Sequence, residues 1–163
     1  MANLMTRRSV IFSIMAVGVG VAIAVPAKFL SAAEKETMTA LDAFGGAQSG
    51  RIILVDIRTP GEWKETGVGE GAIGLDMQSQ TFVSDLSNLR LANPNTPIAL
   101  ICRTGSRSDY VVTELNKRGF IGLVDVAEGM AGGPNGAGWI PQGLPTYAGT
   151  KAEVGKRRAT VLK

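Results

Sequence analysis

A single cysteine, Cys102, stands between an apolar run and two arginines in the segment Cys102-Arg103-Thr104-Gly105-Ser106-Arg107. The thiolate, not the thiol, is the nucleophile, and nearby cations and free backbone N–H groups favour it. Arg103 and Arg107 supply the cations, and a helix opening just after the cysteine supplies the amides. Cations at a helix N-terminus work against the helix dipole, so their presence makes sense when an anion or a thiolate occupies the centre. Gly105 lets the loop curl so that its amides converge. Cys102 is therefore the candidate nucleophile, and Arg103, Thr104, Gly105, Ser106 and Arg107 form a candidate anion-binding loop. The plain alternative is a buried structural cysteine at a strand end, a residue that packs as a small hydrophobe. The two arginines favour the nucleophile.

The same composition prunes other chemistry. The 163 residues include no histidine and one cysteine. That excludes Ser-His-Asp and Cys-His catalysis, His-ligated zinc, an internal disulfide and a C-x-x-C redox pair. No metal and no cofactor is expected. Gly67-x-Gly69-x-x-Ala72 formally satisfies a dinucleotide fingerprint, but it leads into a strand rather than opening a helix, and is discounted.

The elements that must hold the cysteine are legible as apolar runs. Thr39 opens a short helix that runs into Gly45-Gly46. Ile52 to Val55, Pro97 to Ile101 and Ile121 to Val126 are continuous rather than alternating, as in strands buried on both faces. Thr59 to Trp63 reads as a turn or helix start, and a short strand falls near Ile73. Phe82, Leu86 and Leu89 fall at helical spacing. Val111, Val112 and Leu115 line a second helix that stops at Gly119. The glycine-rich stretch Gly129 to Gly143 is a long loop. Strand–loop–helix units of this kind give an α/β domain with a central, mostly parallel sheet flanked by helices. Cys102 then lies at the carboxyl end of a strand, where such sheets bind ligands.

Residues 1–33 read as an export signal rather than as part of the fold. Arg7 and Arg8 precede an apolar run from Val10 to Val25, and Thr6-Arg7-Arg8-Ser9 resembles a twin-arginine signal. Candidate cleavage sites are Val25-Pro26-Ala27 and Ser31-Ala32-Ala33. The run is short for a membrane span, so cleavage is favoured over an anchor, and a periplasmic location is expected. Membrane contact would come only through this segment if it stays uncleaved. The formal charge of +3 then resolves into parts. Arg7, Arg8 and Lys28 leave with the signal, and five basic residues sit in a tail at 151–163. The domain at 34–150 keeps nine basic and thirteen acidic residues, a net −4. No nucleic-acid partner is expected, and the tail reads as a solvated end.

Four pieces in order resemble the rhodanese-like sulfurtransferases, over roughly Thr37 to Tyr147. They are Asp56-Ile57-Arg58-Thr59-Pro60-Gly61-Glu62-Trp63, then Gly71-Ala72-Ile73, then the C-R-x-G-x-R loop at Cys102 to Arg107, and last Trp139 with Gly143-Leu144-Pro145. The resemblance implies a rhodanese-like fold. It implies that Cys102 takes a sulfane sulfur from a small anionic donor such as thiosulfate. The resulting persulfide would pass its sulfur to a thiol or cyanide. Asp56 and Arg58 are expected as a structural pair, and Trp63 and Trp139 as core anchors. Four residues separate Cys102 from Arg107, the loop length of sulfur-transferring members. Cys-based phosphatases and arsenate reductases of related fold carry one residue more, and are the runner-up. A non-catalytic sulfur- or redox-sensing module is a further alternative. Two departures stand out: Val68 replaces the family's usual histidine, and Ala131 to Gly138 are inserted between Met130 and Trp139. The insert is expected to border the mouth of the site and to tune the acceptor.

Overall fold

The computed structural model describes residues 35–161. The export-signal and cleavage-site expectations lie outside those residues. In chain order the elements are β1 (Glu36–Met38), α1 (Ala40–Gln48), β2 (Ile53–Asp56), α2 (Pro60–Thr66), β3 (Val68–Gly69) and β4 (Ala72–Gly74). Then follow α3 (Phe82–Ala92), β5 (Ile98–Ile101), α4 (Ser106–Lys117), β6 (Leu123–Val126), β7 (Thr146–Tyr147) and α5 (Lys151–Val161). Five strands form one sheet in the order β1-β6-β5-β2-β4, with every neighbouring pair parallel. β3 and β7 form a small antiparallel pair beside it.

The continuous apolar runs are the central strands. β5 and β6 are buried at every residue, because helices cover both faces of a parallel sheet. Successive side chains still alternate between the faces. Leu54, Ala99, Ile101, Val124 and Val126 meet α1 together with Trp63, Trp139 and Tyr147 on one side. Val55, Ile98, Leu100 and Leu123 meet α3 and α4 on the other. Cys102 continues the Ile98–Leu100 register and joins this second core.

Beyond one-residue shifts at strand ends, three features differ from the sequence expectation. α1 passes through Gly45-Gly46 to Gln48, because Gly46 makes room for Ile52, whose Cγ1 would lie 3.0 Å from an added Cβ. The third apolar strand begins at Leu123, and Ile121 is 77% exposed. Gly122 has a positive φ of 75°, and its carbonyl accepts from the Ile98 amide and the Arg90 guanidinium, so the chain turns there before entering the sheet. The solvated tail is corrected over its described part. Residues 151–161 form α5, which buries Val154 and clasps the domain through Arg157–Glu70 at 2.5 Å and Arg158–Asp85 at 2.8 Å. Arg157 also stacks over the Tyr147 ring, 3.9 Å from its centre. Among the described residues no helix is long and apolar enough to cross a membrane.

Candidate active site

Cys102 follows β5 directly and is 0% exposed. The chain then makes a tight loop into α4, whose N-cap is Gly105 at φ 90°. Only glycine fits there. A Cβ would stand 2.0 Å from the Ala127 carbonyl oxygen, in a left-handed backbone that side chains resist. The glycine-rich stretch braces the other side of the loop. Met130 N donates to the Cys102 carbonyl and Ala131 N to the Arg103 carbonyl, both at 2.8 Å. Gly129 lies so close to Arg103 and Thr104 that a Cβ would come within 2.6 Å of backbone. Gly133, inside the insert, faces Thr104. The structure thus brings the insert beside the loop.

The loop's amides are the notable resource. Among the described residues, no backbone N–H from Arg103 to Ser108 donates to a protein acceptor, whereas Asp109 N bonds the Gly105 carbonyl at 2.9 Å. The first turn of any helix leaves such donors over. Here they follow the cysteine directly in the chain.

The two arginines behave differently from each other. Arg103 is exposed. Arg107 is half-buried and forms a two-pronged pair with Glu62 of α2, with Nη1–Oε2 at 2.9 Å and Nη2–Oε1 at 2.5 Å. It is therefore not a free cation. The pair holds the Glu62 carboxyl down at about 2, with Arg107 as the main cause and the Thr59 amide and hydroxyl adding to it. Arg107 in turn is held firmly protonated by Glu62 first, and further by Cys102 and Asp56. The same Glu62 closes the α2 capping box, accepting from Thr59 N at 3.0 Å while Thr59 Oγ1 accepts from Glu62 N at 3.3 Å.

Sequence reasoning assigned no role to Glu62 or Ser108. Ser108 Oγ lies 3.5 Å from Cys102 Sγ and 3.0 Å from the Gly105 carbonyl, fully buried. Its one proton serves the carbonyl or the sulfur. The available signal was its place in the first helical turn after the loop. Glu62 lies 45 residues from Arg107, and only the fold joins them.

Asp56 and Arg58 form the expected pair at the end of β2, with Nη2–Oδ2 at 2.6 Å and both side chains buried. Burial pushes the Asp56 carboxyl up, and Arg58 pulls against it. Arg58 also donates to Thr66 Oγ1 and the Gly67 carbonyl, each at 2.7 Å. Trp63 and Trp139 are core residues, and the Trp139 indole donates to the Pro145 carbonyl at 2.9 Å.

The family model described as Rhodanese-like domain matches residues 40–133. An uncharacterised protein of Rickettsia prowazekii is 28% identical over 98 residues, 56% of this chain and 80% of that one. Among solved structures, Rv0390 from M. tuberculosis superposes with a TM-score of 0.54 at 22% identity, covering 69% of this chain and 97% of its own. The polysulfide-sulfur transferase homodimer of Wolinella succinogenes gives a TM-score of 0.50 at 22% identity, covering 69% and 78%. At these identities the superpositions speak for the fold.

Proposed function

Because the chain belongs to the rhodanese-like domain family, we propose that it is a sulfurtransferase working through a Cys102 persulfide. The observation that carries this reading is the fully buried Cys102 at the end of β5, followed by a loop whose amides from Arg103 to Ser108 have no acceptor among the described residues. The Cys102 thiolate attacks the outer sulfur of thiosulfate. A Cys–S bond forms, the donor's S–S bond breaks, and sulfite leaves with the electron pair. The loop amides and Ser108 stabilise charge on the terminal persulfide sulfur. A thiol or cyanide then attacks that sulfur, and the Cys102 thiolate is regenerated. Atoms and electrons balance with no added oxidant, cofactor or metal.

Thiosulfate plus cyanide should yield thiocyanate and sulfite in equal amounts with the purified protein, and Cys102→Ser should yield neither. Turnover of arsenate or an aryl phosphate in place of that exchange would favour phosphatase chemistry instead. No turnover of any of these would leave a sensing module. The twin-arginine pattern at Thr6-Arg7-Arg8-Ser9 supports export of the folded domain to the periplasm. Replacing Arg7 and Arg8 by Lys should hold the protein in the cytoplasm, and unchanged export would contradict the route.

A further inference from the structure

A cavity of about 840 Å³ opens between α2, the end of β4 and α5. None of the residues from Cys102 to Arg107 lines it, so sulfur transfer leaves it unused. Its size is that of a small-molecule site. Trp63, Leu75 and Val154, all nearly buried, supply apolar walls.

The rim is charged. Lys64 of α2 and Lys151 of α5 line the cavity, and among the described residues neither ammonium pairs with a carboxylate. Two acids also line it. Asp85 is taken by Arg158 at 2.8 Å, and Asp76 accepts from the Gln78 amide at 2.9 Å. Three cations against two acids leave the rim positive by one. Lys151 opens α5, whose N-terminal peptide dipoles add the same sign. The acid in that first turn, Glu153, is held by Arg157 at 3.0 Å.

Gly155 is a further feature of this cavity. It sits inside α5 and lines the cavity, yet an added Cβ would meet nothing within 4 Å. Glycine there weakens the helix by about 1 kcal/mol relative to alanine. No neighbour requires it. Gly155 is exposed, and the space around an added Cβ is open.

We propose that this cavity binds a small organic anion with an apolar body, a carboxylate or sulfonate. Lys64, Lys151 and the start of α5 receive the head group, and Trp63, Leu75 and Val154 receive the hydrocarbon. The site is independent of the Cys102 chemistry.

Naphthalene-1-sulfonate is the probe, titrated into the full ¹⁵N-labelled chain while its two indole N–H signals are followed. The chain has two tryptophans. The Trp63 signal should shift saturably and that of Trp139 should stay. Neutral 1-naphthalenemethanol, with the same rings, should bind about five-fold more weakly, and Lys64→Ala or Lys151→Ala should each cost the sulfonate about two- to five-fold. Gly155→Phe should abolish binding with the Trp139 signal intact, while Gly155→Ala and Cys102→Ser should bind as the parent does. The proposal is overturned by an unmoved Trp63 signal, by equal shifts of both indoles, by equal affinity for the neutral probe, or by undiminished binding in Gly155→Phe.

Discussion

Ser108 Oγ lies 3.5 Å from Cys102 Sγ, and the amides from Arg103 to Ser108, which have no acceptor among the described residues, follow the cysteine in the chain. The arginines play a different part from the one their spacing suggests. Arg107 serves as a tie between the loop and α2, because Glu62 already neutralises it. Glu62 is thus a positioning residue, and Glu62→Gln should lower sulfur-transfer kcat by about ten-fold through a loosened loop. A pH signature separates this from a general loss of packing. The Glu62 carboxyl lies at about 2 in the fold, below its usual value of 4.5. A depressed acid contributes stability that is complete above its unfolded value and fades as pH falls through the folded one. Urea unfolding should therefore show a gap between the parent and Glu62→Gln at pH 7 that narrows from about pH 4.5 towards pH 2. A gap constant over that range would contradict the ion pair.

α2 carries this tie, and it is fastened at both ends. Thr59 and Glu62 close its N-terminus, and Arg58 grips its last residue, Thr66, and the Gly67 carbonyl that follows. Arg58 does so while paired with Asp56 in a place fully removed from water. Removing one partner of a buried pair strands the other charge, so Arg58→Ala should cost about 3–5 kcal/mol by urea unfolding. A loss below about 1 kcal/mol would show that water reaches the pair. Elements of this kind were readable where pattern alone decides. The apolar runs Ile52 to Val55 and Pro97 to Ile101 are strands, at Ile53–Asp56 and Ile98–Ile101, and Thr59 to Trp63 does start a helix. The third strand starts later than its apolar run, because Ile121 is exposed and Gly122 turns the chain after it.

Across the whole molecule, the sheet order β1-β6-β5-β2-β4 sets β2 and β5 side by side, and so brings the start of α2 to the cysteine loop. Local sequence could show Cys102 at a strand end, but the partnership of Glu62 with Arg107 depends on that adjacency. α5 was unreadable for a related reason. It buries one valine, packs Val161 partly against the second core, and is held further by arginines whose partners, Glu70 and Asp85, lie far away in sequence. A helix fastened by distant ion pairs looks like a basic tail. The central claim is that this scaffold loads one sulfur onto one thiol. Intact-mass analysis after incubation with thiosulfate and removal of excess donor tests it most directly. The parent protein should carry one added sulfur, lost on treatment with cyanide, and Cys102→Ser should carry none. An unmodified parent, or a sulfur adduct that persists in Cys102→Ser, would contradict the account.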